Sequence, residues 1–274
     1  MSVETKQLIR RFVWMGVAIV FAVAVIVFLI CYVGTLTVPE PPATEPAATE
    51  PTLPPSDVTA ADFAYENEFL ICTASDYLVG IDVSEFQLEV DWAQVKQAGV
   101  DFVMVRLGYR GYTVGGLNTD GRALENLQGA RDAGLLVGAY FFSQSTNVEE
   151  AEEEARYAME ILDGFPLDLP LAYDWEPAER TANTKGQTVT DCAIAFCDAV
   201  EAGGYAPMVY FGSNQGKYFL ELERLTDYPW WLAWYNTDAQ FFCRWNIWQY
   251  SCTGTVPGIS VDVDLNILLR DESV

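Results

Sequence analysis

The hydrophobic pattern changes character three times along the chain. Phe12 to Val33 is a run of 22 residues without a charge, which as a helix would extend about 33 Å, enough to cross a bilayer core. Lys6, Arg10 and Arg11 precede it against a single Glu4, and positive charge on the short flank places that flank in the cytoplasm. A cleavable signal peptide would have a shorter apolar core followed by an Ala-x-Ala-like site. The expectation is therefore an uncleaved single-pass anchor over residues 12–34, with residues 1–11 cytoplasmic and the remainder outside; cleavage would instead give a secreted protein.

The second pattern has no hydrophobic period at all. VPEPPATEPAATEPTLPPSD (38–57) holds seven of the thirteen prolines and predicts an extended, polyproline-like stalk reaching up to roughly 60 Å. Stalk and linker together are expected to occupy residues 35–76.

From Tyr77 the pattern becomes an alternation of strands and helices. YLVGIDV (77–83), DFVMVRLGY (101–109), LLVGAYFF (135–142), PLAYDWE (170–176) and PMVYF (207–211) read as strands. Helices are predicted over 91–99, 119–134, 147–164 and near 187–203, the first three closed by Gly99, Gly134 and Gly164. WWLAWY, NIWQYS and VDVDLNI add short strands with little helix between them. Alternation with apolar strands argues for a parallel sheet covered by helices. About eight strands in residues 77–274 predict an α/β, TIM-like barrel with reduced helices in its second half.

Composition narrows the chemistry. The chain has no histidine, which removes Ser-His-Asp and Cys-His systems and imidazole metal sites. Cysteines 31, 72, 192, 197, 243 and 252 form no Cys-x-x-Cys pair. Cys243 and Cys252 flank a strand and are read as either a pair or free thiols. Thirty-nine acidic residues against 15 basic ones make nucleic acid an improbable partner. Aromatic residues form 14% of the chain, eight of them tryptophans, which suits a core and also a carbohydrate cleft. The acidic run EEAEEEA (149–155) reads as the solvated face of a helix, and Thr-Asp-Gly at 119–121 as a helix cap.

The candidate chemistry lies in carboxylates. Side chains alternate along a strand, so Asp174 and Glu176 in LAYDWEP should share a face with Trp175 opposite. Two like charges held together are unfavourable unless something uses them. In a parallel barrel the C-terminal strand ends line the active face. That places Asp82, Asp174, Glu176 and Asp264 at one mouth, with Tyr140, Tyr210, Trp234 and Gln249 beside them.

Four stretches, GIDVSEFQLEVDW, NLQGARDAGLLVGAYFFSQS, LAYDWE and WQYSCTGTVPGISVDVDLN, resemble in order and spacing the glycoside hydrolase family 25 lysozymes, the Chalaropsis-type muramidases. The resemblance runs from about Tyr77 to Leu268. It implies a flattened, irregular (β/α) barrel that hydrolyses the bond between N-acetylmuramic acid and N-acetylglucosamine in peptidoglycan glycan strands, without cofactor or metal. On this resemblance Glu176 is the general acid and Asp174 its partner carboxylate. Asp82 and Asp264 support them, and Tyr140, Tyr210 and Trp234 match the aromatic lining. The chain departs from the family at Tyr140-Phe141-Phe142, where Tyr-His-Phe or Tyr-His-Tyr is common. An ionised Asp174 is expected to keep Glu176 protonated, and the closeness of the pair to give retention of configuration. A monomer anchored through residues 12–33 is expected. The rival readings are a peptidoglycan-binding module without turnover and a hydrolase of chitin-like polymers.

Overall fold

The computed structural model describes residues 53–236 and 241–270. The expected anchor, and the stalk up to residue 52, lie outside the described residues. Among the described residues no helix is long and apolar enough to cross a membrane.

In chain order the elements are β1 (Phe63–Glu66), β2 (Phe69–Cys72), β3 (Tyr77–Val83), α1 (Trp92–Gln97), β4 (Phe102–Arg110), β5 (Leu117–Thr119), α2 (Ala123–Asp132), β6 (Leu136–Ser143), α3 (Val148–Leu162), β7 (Leu171–Trp175), α4 (Gly186–Ala202), β8 (Pro207–Gly212), α5 (Ser213–Tyr218), β9 (Trp230–Ala233), β10 (Ile247–Gly254) and β11 (Val263–Leu269). The large sheet runs β3-β11-β10-β9-β8-β7-β6-β4-β5, and β3 also pairs with β4. That pairing closes an eight-stranded α/β barrel, with β5 as an added edge.

Helix ends follow local chemistry. Asn147 caps α3 by accepting from the Glu150 N–H at 3.0 Å, and Asp91 caps α1 by accepting from the Gln94 N–H at 3.1 Å. The second half is indeed poorer in helix, since α5 has six residues and β10 turns directly into β11. The sheet is not wholly parallel. β11 runs antiparallel to both β10 and β3, because a short turn, rather than a crossover helix, joins it to β10.

Alternation separates two apolar layers. Ile81, Val103, Val105, Val137 and Phe141 face the helices. Phe102, Met104, Met208, Ile247 and Leu268 fill the barrel. Their bulk is accommodated by glycine: a Cβ on Gly80 would stand 2.2 Å from the Phe102 ring, and one on Gly138 2.4 Å from Met104 Sδ. The barrel floor is thus solid hydrocarbon, and only the upper interior positions remain for polar groups.

The packed domain begins before Tyr77. β1 and β2 form a hairpin, and Phe63 packs edge-on against Trp248 at 5.2 Å. The Leu70 N–H donates to Tyr250 Oη at 3.1 Å, and the Arg244 N–H donates to the Pro54 carbonyl at 2.8 Å. Part of the segment expected to be linker therefore covers the outer aromatic side chains of β10. The acidic run also departs from expectation. Glu154 is fully buried on α3, where its carboxylate receives Arg110 Nε at 2.6 Å and Ser143 Oγ at 2.6 Å. The helix turns this one acid inward onto Arg110, a buried cation of β4.

Candidate active site

The upper interior positions of the barrel carry the predicted acids. Asp82 on β3 stands directly across the ladder from Asp264 on β11. Because β11 is antiparallel, its first residues reach the same end as the last residues of β3. Asp174 is the last inward residue of β7, and Glu176 follows just beyond the strand. Trp175 points away, stacks on Phe219 at 5.6 Å, and donates its indole N–H to the Ser145 carbonyl at 3.0 Å. All four acids line one cleft of about 230 Å³ together with Tyr140, Tyr210 and Gln249.

Hydrogen bonds order one side of this cleft. Gln249 Nε2 and Asn266 Nδ2 each donate to Asp82 Oδ2 at 2.8 Å. Gln249 Oε1 accepts from Tyr210 Oη at 3.2 Å and from Tyr235 Oη at 2.6 Å. Tyr210 Oη also lies 3.4 Å from Glu176 Oε1 as a donor. A phenol has one proton. It serves an ionised Glu176 or the Gln249 carbonyl, and it can accept from Glu176 once that acid is protonated.

Asp174 differs from these groups. It is buried, and its Oδ1 has no hydrogen-bond partner. Burial, followed by the charges of Glu176 and Asp82, pushes its carboxyl well above the usual range, against the pull of Arg106. Burial also raises Glu176, and the Tyr210 hydroxyl opposes that rise. Burial raises Asp82 to about 6 despite its two amide donors. Burial and the charges of Asp82 and Glu176 raise Asp264 to about 8. Both carboxyls of the central pair are thus raised; Glu176 is the less enclosed and has a donor, while Asp174 Oδ1 has none.

Trp234 lies outside this cleft. It borders an adjoining depression of about 420 Å³ that shares Glu176, Tyr210 and Tyr235. Lys217 Nζ sits 4.1 Å over its ring. The tryptophan of the carboxylate cleft is Trp231, which donates to Asn266 Oδ1 at 2.9 Å and meets Tyr210 edge-on at 5.0 Å. Period-two reading of WWLAWY would have placed Trp231 inward with Ala233. Arg106 was also missed, although a lone cation in the apolar strand FVMVRLGY was its signal. Its Nε donates to Asp120 Oδ2 at 2.7 Å, and its guanidinium lies 5.0 Å from the Phe86 ring. Asp120 is thus more than the expected cap, although it also accepts from the Arg122 N–H at 2.9 Å. At the departure from the family pattern, Phe142 lines the cleft while Phe141 packs outward against Tyr157. Cys243 is a buried free thiol, which removes its pairing with Cys252.

A larger groove of about 560 Å³ between α3 and α4 has no comparable chemistry. Its acids Glu152, Asp191 and Asp198 are matched by Arg156, Arg224 and Tyr228. No group of three or more carboxylates and thiolates placed to hold a metal occurs among the described residues.

Residues 81–259 match the profile of the glycosyl hydrolases family 25. The uncharacterized protein YegX of Escherichia coli K12 is 30% identical over 212 residues, 73% of this chain and 72% of that protein. Lysozyme M1 of Streptomyces globisporus is 29% identical over 203 residues, 68% of this chain and 66% of that protein. The modular autolysin LytC of Streptococcus pneumoniae, solved with a synthetic peptidoglycan ligand, superposes with a TM-score of 0.62 at 24% identity. The match covers 75% of this chain and 49% of LytC, so the chain spans about half the length of that autolysin and shares its fold. By the profile match and the YegX relationship, this chain belongs to the glycosyl hydrolases of family 25, glycoside hydrolases of the lysozyme type.

Proposed function

We propose that the chain is a membrane-anchored, extracellular muramidase that cleaves the N-acetylmuramic acid–N-acetylglucosamine bond of peptidoglycan with retention. The observation that carries this reading is the unsatisfied, buried Asp174 Oδ1 beside Glu176 in a cleft of four carboxylates. No protein group donates to this oxygen, so a donor on a ligand meets no competing protein hydrogen bond there. The amide N–H of an N-acetylated sugar is such a donor.

A donor at Asp174 favours its ionised form, so the proton held by the pair passes to Glu176 as the sugar binds. Protonated Glu176 gives that proton to the glycosidic oxygen as the bond breaks. Asp174 either attacks the anomeric carbon or holds the substrate's acetamido group to do so; both routes invert twice and retain configuration overall. The leaving sugar departs, and water completes the cycle with Glu176 as base. Asp82, fixed by Gln249 and Asn266, adds negative charge where the oxocarbenium-like carbon develops. Trp231 and Tyr210 wall the cleft and Trp234 the adjoining depression, where sugar faces can stack.

The uncharged run Phe12–Val33 and the proline-rich segment after it support an anchor and a stalk holding a monomeric domain away from the membrane. An anchored enzyme suits remodelling of the cell's own wall. The test is borohydride reduction of digested, purified peptidoglycan followed by amino-sugar analysis. Muramitol is the expected product. Glucosaminitol would overturn the bond assignment, cleavage restricted to chitin oligomers would overturn the substrate, and no product from folded protein would leave a binding module.

A further inference from the structure

Beyond β7 the ladder stops. Its last rung with β6 is Ser143–Trp175, and its last with β8 is Asp174–Tyr210. The next two carbonyls, those of Trp175 and Glu176, are held by side chains. Gln144 Nε2 donates to the Glu176 carbonyl at 2.5 Å, and Gln215 Nε2 donates to the Trp175 carbonyl at 3.1 Å. Both amides are fixed at their other ends. Gln215 Oε1 accepts from the Gly212 N–H at 2.5 Å, and Gln144 Oε1 lies 3.4 Å from Thr181 Oγ1 as an acceptor.

Gln144 is itself completely buried, on a loop set by Glu154. The Gln144 N–H donates to Glu154 Oε1 at 3.4 Å, Ser143 Oγ donates to Glu154 Oε2 at 2.6 Å, and Arg110 closes the carboxylate. Arg180, four residues after Glu176, also donates to the Gln144 carbonyl and pairs with Glu150. A chain of buried contacts therefore runs from α3 through Gln144 to the backbone of Glu176. Among the described residues, the carboxyl of Glu176 has the Tyr210 hydroxyl alone as a hydrogen-bond partner. Its placement depends on where the backbone is held.

We propose that Gln144 and Gln215 are positioning residues: their amides clamp the two carbonyls past the end of β7 and so aim the Glu176 carboxyl into the cleft. This rests on Glu176 being the proton donor. A swing of about 1 Å can cost on the order of 100-fold in rate, and a proton donor loosened into solvent loses the burial that raises its pKa.

Gln144→Met keeps the shape and removes the donor. It is expected to lower kcat at least about tenfold, with KM for soluble peptidoglycan fragments within about twofold. The alkaline limb of its pH–rate profile should move to lower pH, because a less enclosed Glu176 deprotonates sooner. Gln215→Met should do the same to a smaller degree, and it decides the matter if Gln144→Met does not fold. An unchanged kcat and alkaline limb in a folded variant would overturn the proposal, as would a fall in kcat with no movement of the limb. Glu176→Gln serves as the control. If it is inactive while both methionine variants behave as wild type, only the clamp fails; if it turns over normally, the assignment of the donor fails.

Discussion

Glu154 and Asp174 are both buried acids, and the fold treats them differently. Glu154 receives Arg110 and the Gln144 N–H on one oxygen and Ser143 on the other. Asp174 keeps one oxygen without a donor while Glu176 stands beside it. A satisfied buried carboxylate ties elements together. One left unsatisfied at the rim of an open cleft is a place for something that is not protein. The same contrast separates Asp82, held by two amides, from Asp174 within a single mouth.

Substitutions can break this comparison at either end. Asp174→Asn should lower kcat by about 10²–10⁴-fold with little loss of stability, since no protein hydrogen bond to Oδ1 disappears; kinetics beside thermal unfolding checks both halves. Glu154→Leu should act first on stability, and on kcat only through the Gln144 loop that this acid sets. It removes one of the two carboxylates that pair with buried Arg110, leaving Glu153 at 2.8 Å and the Gly115 and Glu150 carbonyls, and should cost about 1–3 kcal/mol in a denaturant titration. The double substitution Arg110→Met/Glu154→Leu should recover much of that loss, because it leaves no buried charge short of a partner.

Acidity sharpens the comparison further. The folded values of Asp82, Glu154 and Asp264, about 6, 7 and 8, all lie above ordinary carboxyl values. Groups raised on folding contribute stability that is complete below about pH 4 and is lost as pH rises through those values. The thermal midpoint should therefore fall between pH 5 and pH 8, and Asp264→Asn should flatten the upper part of the fall. The smallest effect belongs to Glu152→Ala on the exposed side of α3, where a surface pair with Arg156 at 3.4 Å is removed. Its unfolding free energy should stay within about 0.5 kcal/mol of wild type.

What the sequence disclosed follows the same division. Strand and helix periods located the barrel, and the strand-end rule brought Asp82, Asp174, Glu176 and Asp264 together. Period two also put Trp175 on the far side of β7. Pairing partners were not legible. The helical period of Ala151, Ala155 and Ala158 sets Glu154 on the buried stripe of α3, but its partner Arg110 comes from β4, far away in the sequence. Arg106 and Trp231 were visible as patterns, yet their meaning depends on which face of each strand turns inward. The hairpin at 63–72 was hidden because four-residue strands lack a readable period. The raised carboxyls of Asp174 and Glu176 depend on enclosure and hydrogen bonding, which exist only in the folded mouth.

The most direct test of the central claim compares wild type with Glu176→Gln on purified peptidoglycan, measuring new reducing ends and co-sedimentation together. The variant should sediment with the polymer as wild type does and release no reducing ends above the buffer control. Turnover at the wild-type rate would contradict the claim.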